Sequence, residues 1–538
     1  MSCLTCSNCG FVNLLPPEPR VPQMLNATES SDDLVSQLLR GSRPLLDADH
    51  AFIDAEITKL KRLRTWYDAQ LREIELYRST VLKELKNHES IYAPIRRLPR
   101  DILIEIFHSI CDSWWQEEGE EEGEDDDLDS LDMTGPLWVL SRVCGLWRDT
   151  LHTSPASWAR YVSVKSVSSK HDREILQTYL NRTGEHPLSL VVICEGVGLN
   201  FTEEGEIMSL LVQLCHRWKN VRIHITIDHM HHLESISHLP ILQTIDIDIL
   251  DDNNSDDDDS DYSSGISLDA PQLWQATLSS QGIYQIRLPP SITHYSGHIT
   301  CAKDFQLLSQ LPKLRTCQLS SQVSTASIRA PVVMAELCQL FVQDSDILNF
   351  LTAPMLQSLT IVRGSREEEG FFMQSLSSIT AFFRRSGCHL ESFSIGMAIM
   401  EEEPSTSIRD IFSSEACSTI SHLKFELGSV WHNVSKVFAS SSILPNLQHL
   451  VLCFGYRYSH RMATEWPALL DMIRSRYKAG LLKTIEVQFV QAGDLCADGY
   501  VKADIRALVG DNLEMRVEKW SPLYLDHQAF FWDPQPPI

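Results

Sequence analysis

The sequence lacks any apolar segment long enough to cross a membrane. A transmembrane helix needs about 20 consecutive apolar residues, and no run of that length occurs among the 538 residues. The N-terminal stretch is polar and proline-rich, and it lacks the apolar core of a secretory signal. We therefore expect no membrane partner, and we expect the protein in the cytoplasm, the nucleus or both.

Motifs of the common enzyme classes are missing as well. The chain has no G-x-S-x-G elbow, no phosphate-binding loop, no G-x-G-x-x-G and no H-E-x-x-H. Its carboxylates cluster in runs, and not in the apolar surroundings that would raise a pKa. We predict no catalytic residues and no cofactor, and a hydrolase on an irregular α/β domain is the remaining enzymatic alternative.

The net charge of −26 is concentrated in two short acidic runs. Residues 117–132 contain 11 acidic and no basic residues, and residues 251–261 contain 7 more acidic residues. The rest of the chain carries a net charge of about −8 and has no broad basic face. We expect no nucleic-acid partner and interpret both runs as solvated loops, with docking of a basic partner as the alternative for 117–132.

The 14 cysteines are scattered, and most stand beside apolar residues. This usage is typical of reduced, buried thiols and not of a disulfide framework. Cys3, Cys6 and Cys9 have a spacing that can bind zinc. A closed site needs four ligands, and no fourth Cys or His follows nearby. Residues 229–232 contain three histidines in what we interpret as an exposed loop. We predict no metal at either place.

Two N-terminal ranges differ in pattern. Residues 1–43 are rich in proline, serine and aspartate and predict a disordered tail. In residues 44–92 apolar residues follow a 4-3 spacing, which predicts one long helix of about 40 residues with a heptad seam. The helix can pair with a second copy, fold back, or lie on a neighbouring domain, and two arginines in the seam weaken a dimer. The seam residues are Ile53, Ile57, Leu60, Arg64, Tyr67, Leu71, Ile74, Arg78, Val81 and Leu85.

Residues 98–158 predict two or three short amphipathic helices. Pro99 fits a first helical position, where its missing N–H costs nothing, and Asp101 suits the positive end of the helix dipole. Apolar residues recur at helical spacing over 102–110 and again over 137–151. About 65 residues make a marginal core, so a partner or a neighbouring domain is expected to cover part of the apolar face.

The ordered string of residues in this stretch resembles an F-box of the kind found in fungal-type F-box proteins. The string is Leu98-Pro99, Ile102-Leu103, Ile106-Phe107, then Leu140-Ser141, Val143-Cys144, Trp147-Arg148, Ser154-Pro155 and Trp158. The resemblance implies a helical domain that docks on a Skp-type adaptor and through it on a cullin. It implies that the adaptor-facing surface or its support consists of Leu98, Pro99, Ile102, Leu103, Ile106, Phe107, Val143, Cys144, Trp147 and Trp158. The acidic insert 117–132 departs from the family, and docking requires that it loop away from the adaptor.

One short template recurs after residue 158. An apolar residue, two others, an apolar residue, one other and a third apolar residue occur ten times, at steps of about 19 to 41 residues. The middle apolar residues are Val221, Ile245, Ala276, Cys317, Leu340, Leu359, Phe393, Leu423, Leu450 and Ile485. The longest step can hold a degenerate copy. The template resembles leucine-rich repeats, in which short parallel strands stack into a continuous core; a mixed α/β sandwich is the alternative.

We therefore predict an α/β fold of several parts. A disordered tail (1–43) precedes the long helix (44–92), and the F-box (93–165) precedes an irregular leucine-rich-repeat-like solenoid of short parallel strands and helices (166–510). A C-terminal tail occupies 511–538. The exposed strand positions would line a concave face for a protein target, with Gln243, Thr244, Gln357, Ser358, Glu391, Ser392, Gln448 and His449 as candidates.

This order of parts is typical of an adaptor. The resemblance implies a substrate-recognition subunit of a Skp–cullin–F-box ubiquitin ligase, which performs no chemistry itself. The competing hypothesis is a repeat scaffold whose F-box-like helices only cap the solenoid. The two hypotheses differ in whether Leu98, Ile102 and Phe107 face solvent or lie buried against the repeats.

Overall fold

A computed structural model describes the chain in segments that fall into two compact units, Met1–Leu98 and Pro99–Ile538. The described residues are 3–5, 12–14, 29–116, 129–160, 162–165, 167, 169–194, 201–236, 238–250, 266–279, 283, 286–299, 301–321, 331–343, 345–361, 376–396, 405–427, 432–454, 462–480, 482–489 and 514–519.

The first unit contains one long helix. Strands β1 (Cys3–Thr5) and β2 (Val12–Leu14) pair antiparallel, and helix α1 (Glu29–Leu39) follows. These elements lie within the range that we predicted to be disordered; Cys6 and Cys9 fall outside the described residues. Helix α2 (Asp47–Ile91) is 45 residues long and confirms the long-helix prediction. A 3₁₀ turn over Pro94–Arg97 ends the unit.

The start of α2 is fixed by one buried carboxylate. Asp49 accepts hydrogen bonds from the Leu46 backbone N–H at 3.1 Å and from the Arg43 guanidinium at 2.9 Å. A carboxylate in the first turn also interacts favourably with the helix dipole. The N-terminus of the helix is therefore defined by side chains, although the body of the helix is exposed.

Four short helices open the second unit. They are α3 (Arg100–Gln116), α4 (Pro136–Val143), α5 (Gly145–His152) and α6 (Pro155–Ala159), which we call the helical group. The apolar run over 137–151 does not form one continuous helix, because Cys144 is extended (φ −160°, ψ 170°) between α4 and α5. Most of the acidic insert, residues 117–128, lies outside the described residues.

The rest of the second unit is built on one parallel sheet of 14 strands, which makes the chain an α/β protein. The strands are β3 (Val162–Val164), β4 (Leu188–Cys194), β5 (Trp218–Thr226), β6 (Thr244–Leu250), β8 (Gln275–Leu278), β10 (His294–Ile299), β11 (Thr316–Ser321), β13 (Gln339–Val342), β15 (Ser358–Ile361), β16 (Ser392–Gly396), β17 (His422–Leu427), β18 (His449–Phe454), β19 (Thr484–Phe489) and β20 (Glu514–Lys519). Their spatial order is their chain order. Two short parallel pairs are separate from this sheet: β7 (Ile266–Ser267) with β9 (Ile286–Arg287), and β12 (Val332–Val333) with β14 (Leu351–Thr352).

Short helices return the chain from one strand to the next. They are α7 (Asp172–Arg182), α8 (Phe201–Val212), α9 (Met230–Glu234), α10 (Ala302–Leu308), α11 (Leu376–Ser386), α12 (Ser405–Phe412), α13 (His432–Phe438) and α14 (Met462–Lys478), with 3₁₀ turns at Cys215–Arg217, Ile227–His229, Ser345–Phe350 and Glu415–Cys417. Parallel strands require such crossovers, and here they supply the second layer of the core.

The middle apolar residues of the template lie in a single row across the sheet. Val221 is opposite Ile245, and Ile245 is opposite Ala276. The same register continues through Phe393 opposite Leu423. Each of these side chains is almost fully buried, so adjacent units complete one another's core.

Three arginines link successive units through the backbone. Arg217 donates to the His186 carbonyl at 2.8 Å, and Arg385 donates to the Leu348 carbonyl at 2.6 Å. Arg476 donates to the Phe438 carbonyl at 2.7 Å. In each case a guanidinium donates to carbonyl groups of the preceding unit and so connects the two units.

The sheet extends beyond the predicted repeat range at both ends. Strand β3 lies within the predicted F-box range 93–165 and pairs with β4. Strand β20 lies within the predicted tail 511–538 and pairs with β19. Strand β10 fills the longest template step, where a degenerate copy was expected. The acidic loop 251–261 lies outside the described residues.

Candidate functional site

Helix α3 divides its apolar side chains between two faces. Leu103 and Phe107 are fully buried, whereas Ile102 is 43% exposed and Ile106 is half-buried. Ile110 continues the stripe of Ile102 and Ile106 and is also exposed. Residues four apart lie on one face of a helix, so α3 has a buried stripe and an outward apolar stripe.

Helix α4 repeats this division. Leu137 and Leu140 are buried, and Val139 and Val143, four residues apart, are exposed. Val143 is 55% exposed directly before the break between α4 and α5. Two neighbouring helices therefore present apolar side chains to solvent, which is typical of a surface that binds a protein.

The buried stripe of α3 packs within the helical group. The Phe107 ring lies 4.9 Å from the half-buried Trp147 ring of α5, measured between centroids. Ser157 of α6 is hydrogen-bonded to His108 at 2.9 Å, and Arg160 forms an ion pair with Asp112 at 3.2 Å. The inner face of α3 is thus occupied by α5 and α6.

Trp158 joins the helical group to the first return helix. Its ring lies 5.6 Å from that of Trp138 and 5.0 Å from that of Tyr179 in α7. The Arg182 guanidinium lies 4.4 and 4.5 Å from the centroids of the two tryptophan rings. Burial and the nearby Arg142 lower the pKa of Arg182. Trp158 is therefore an interior residue of the helical group and does not belong to the exposed apolar stripes of α3 and α4.

The end of the acidic insert is bonded to the first strand of the sheet. The Ser130 N–H donates to the Ser163 carbonyl at 2.7 Å, and the Ser163 N–H donates to the Ser130 hydroxyl at 3.0 Å. The Trp138 indole N–H donates to the Ser130 carbonyl at 3.0 Å. These bonds fix the helical group against β3.

The ten predicted site residues divide by exposure. Pro99, Ile102 and Val143 are exposed; Leu98, Ile106, Cys144 and Trp147 are half-buried; Leu103, Phe107 and Trp158 are buried. Leu98 belongs to the first unit and the other nine to the second. Ile110 and Val139 were not among the predicted residues, although the four-residue spacing from Ile106 and Val143 was available in the sequence.

The predicted target-binding residues of the sheet have two different roles. Thr244, Ser358, Ser392 and His449 lie in one row across the strands. The prediction that Thr244 is exposed is wrong, because it is buried, whereas the other three are half-buried. Gln243, Gln357, Glu391 and Gln448 lie one residue before a strand, and their carbonyls accept hydrogen bonds from the next unit. For example, the Gln357 carbonyl accepts from the Glu391 and Ser392 N–H groups at 2.8 and 3.0 Å. The second set therefore connects adjacent units through its backbone.

A second polar row, which the sequence analysis missed, lies between the second and third apolar positions. Arg222 forms an ion pair with Asp246 at 3.2 Å, and the row continues through Thr277, Ser296 and Gln318, all nearly fully buried. Burial raises the pKa of Asp246 to about 7, although Arg222 opposes the shift. The alternation of strand residues contained this signal.

Across the later strands the same row is accessible. Thr360, Ser394, Lys424 and Glu486 are all half-buried. Beside this row, the His422 and His449 rings stack at 4.2 Å with an interplanar angle of 11°. The polar row is therefore buried over β6–β11 and partly accessible on β15, β16, β17 and β19, while Phe341 on β13 and Val451 on β18 interrupt it.

The sequence predicts exposed histidines over residues 229–232, but only His231 is exposed. His229 is fully buried and its Nε2 lies 3.1 Å from the Glu204 carboxylate, while burial lowers the pKa of His232. Among the described residues, no group of three or more His, Cys, Asp or Glu side chains is placed to hold a metal ion. No helix in the described part of the chain is long and apolar enough to span a membrane.

Comparison with known proteins does not assign a family. Neither the family models nor the curated proteins contain a match to this chain.

Proposed function

We propose that the chain is a substrate-recognition adaptor of a Skp–cullin–F-box ubiquitin ligase. In this proposal the helical group acts as the F-box and binds a Skp-type adaptor, and through it a cullin. The chain itself performs no chemistry; it raises the concentration of a bound target near the ligase. Such a role places it in the cytoplasm or the nucleus.

One observation carries the proposal. Helices α3 and α4 bury one set of apolar side chains and present a second set to solvent, with Ile102 and Val143 as its most exposed predicted members. An apolar side chain gains about 1.5–3 kcal/mol on full burial. A surface with five such residues (Ile102, Ile106, Ile110, Val139 and Val143) favours a protein partner. We call these five residues the outer apolar surface.

For the second part of the chain we infer an irregular leucine-rich-repeat-like solenoid. The parallel strands in chain order and the recurring template support it. We place the target on the partly accessible polar positions of β15–β19 (Thr360, Ser394, Lys424 and Glu486), since the corresponding side chains over β6–β11 are already buried.

Co-expression with a Skp-type adaptor tests the docking surface. We expect a stable complex on size exclusion, and its loss in the double variant Ile102→Asp/Val143→Asp. Val333→Asp is the matched control, because Val333 is 58% exposed on β12, against 55% for Val143. Phe107 is unsuitable for this test, because a carboxylate at a fully buried position would unfold the helical group.

Circular dichroism must show all three proteins folded. Loss of the complex in the double variant alone would support the proposal. A well-folded wild-type chain that forms no complex would contradict it.

The scaffold hypothesis has its own supporting observation. The Ser130–Ser163 hydrogen bonds and the Trp138–Trp158–Arg182 cluster attach the helical group to the first strand and first return helix, as a terminal cap would. If no adaptor complex forms, capping would be the sole role of these helices.

A further inference from the structure

Helix α2 carries an apolar seam that faces solvent along most of its length. The seam residues Ile57, Leu60, Tyr67, Leu71, Ile74, Val81 and Leu85 are between 41% and 65% exposed. From Ile53 to Leu85 the seam extends about 50 Å at 1.5 Å per residue. A seam sustained over four or more heptads with charged flanks is typical of a coiled coil.

We propose that the seam binds a second copy of α2 in an antiparallel coiled coil, which makes the full chain a dimer. This inference concerns the first unit and is independent of the proposed ligase function. The seam spacing is symmetric about its midpoint between Tyr67 and Leu71, so two antiparallel copies can pair every seam residue.

The two seam arginines select the antiparallel orientation. In a parallel, in-register pair, Arg64 would face the partner's Arg64 and Arg78 the partner's Arg78, and like charges in the interface repel. In the antiparallel pair, Arg64 faces the partner's Ile74, and Arg78 faces the partner's Leu60. The long aliphatic stems can pack there while the charged ends reach water.

The flanking charges do not favour this choice, because the antiparallel pair has more like-charge than opposite-charge contacts at its rim. Antiparallel pairing places Lys61 beside the partner's Glu75 at two symmetric positions. It also places Asp68 beside the partner's Asp68 and Glu56 beside the partner's Glu84. These residues lie at the solvated rim, where a pair contributes little, whereas the arginines lie in the seam itself. The avoidance of arginine–arginine layers therefore decides the orientation.

The mass of the full chain in solution tests the dimer. By light scattering we expect twice the monomer mass of 61.2 kDa for the wild type, and the monomer mass for Leu71→Asp. Leu76→Asp is the matched control, because Leu76 is 66% exposed on the side of α2 opposite the seam; it should remain dimeric. Both changes are made at exposed positions of the helix, so circular dichroism should be unaltered.

Chemical cross-linking tests the orientation without any substitution. Along one helix Lys61 and Lys83 are about 33 Å apart, beyond a short amine cross-linker. The antiparallel pair brings Lys61 within two helical turns of the partner's Lys83, so we expect a Lys61–Lys83 link in the dimer fraction. A monomeric wild type, a dimeric Leu71→Asp variant, or links only between Lys61 and the partner's Lys61 would overturn the proposal.

Discussion

Arg476 offers the sharpest test of how successive units are held together. Its side chain is 1% exposed and donates to the carbonyls of Phe438 at 2.7 Å, Leu444 at 2.9 Å and Ile443 at 2.5 Å. Burial lowers its pKa to about 10, so the guanidinium stays charged at neutral pH. Arg476→Ala removes the donor, so these three carbonyls lose their hydrogen bonds to the guanidinium.

The size of the effect follows from two opposing contributions. Each hydrogen bond from a charged donor contributes about 1.5–3 kcal/mol, but the wild type also bears the cost of burying the guanidinium. Each buried carbonyl that loses its donor costs about 1–3 kcal/mol, and the relief of guanidinium burial offsets part of the sum for three carbonyls, so we expect Arg476→Ala to cost about 3–5 kcal/mol. Because repeat-like units unfold locally, hydrogen exchange should increase first in β18 and β19.

Arg474 is the matched control for this measurement. It lies two residues earlier on α14, where its side chain is 45% exposed and paired with Asp471 at 2.7 Å. Arg474→Ala should change the free energy of unfolding by no more than about 0.5 kcal/mol. Equal denaturation midpoints for the two variants would refute the idea that buried arginines connect the units.

Two further predictions concern the polar and apolar faces of the sheet. Gly297→Ala should destabilise the chain by about 1–3 kcal/mol, because the new Cβ would lie 2.8 Å from the Tyr295 ring and 2.9 Å from the Leu278 carbonyl; denaturant unfolding should show no such loss for Gly145→Ala, where nothing lies within 4 Å. Burial raises the pKa of Asp246 to about 7, so the folded chain retains a proton that the unfolded chain releases near pH 4. Stability should therefore fall as the pH rises from about 4 to 7, and thermal unfolding of Asp246→Asn should lack this part of the dependence.

The sheet could be predicted from the sequence wherever the template keeps three apolar residues. Strand β10 shows why one copy was only inferred from spacing. Gly297 stands where the third apolar residue belongs, and the large Tyr295 ring occupies the space of the missing side chain. Tyr295 and Gly297 together fill the space that two apolar side chains fill in the other units. A template that considers one residue at a time does not detect this compensation in volume.

The buried polar row was missed for a different reason. The template marks apolar positions, and we assigned function to the two residues between the first and second of them. The structure shows that Gln357 and Gln448 use their carbonyls to bond the next unit, while Asp246 and Thr277 lie between the second and third apolar positions and are nearly fully buried. Strand alternation predicts which face of the sheet a side chain lies on. Whether a side chain on that face is buried depends on residues far away in the chain.

Among the helical residues, spacing predicted the helices but not their inner and outer faces. Ile102 and Leu103 are adjacent in the sequence and equally apolar, yet one is exposed and the other fully buried. The difference depends on where Trp147 and α6 pack, which requires the tertiary structure. The break at Cys144 was hidden because apolar residues continue through it at helical spacing.

Capping and docking therefore need not exclude each other in this chain. The inner face of the helical group packs Phe107 on Trp147 and attaches Trp158 to α7, and this attachment serves any fold that needs a covered first strand. The outer apolar surface takes no part in that attachment, so capping gives no reason for Ile102 and Val143 to be apolar. A scaffold that only needed a cap would favour polar residues at both positions, because apolar side chains there lower solubility. The apolar character of Ile102 and Val143 is the feature that capping leaves unexplained, and for this reason we propose docking in addition to capping.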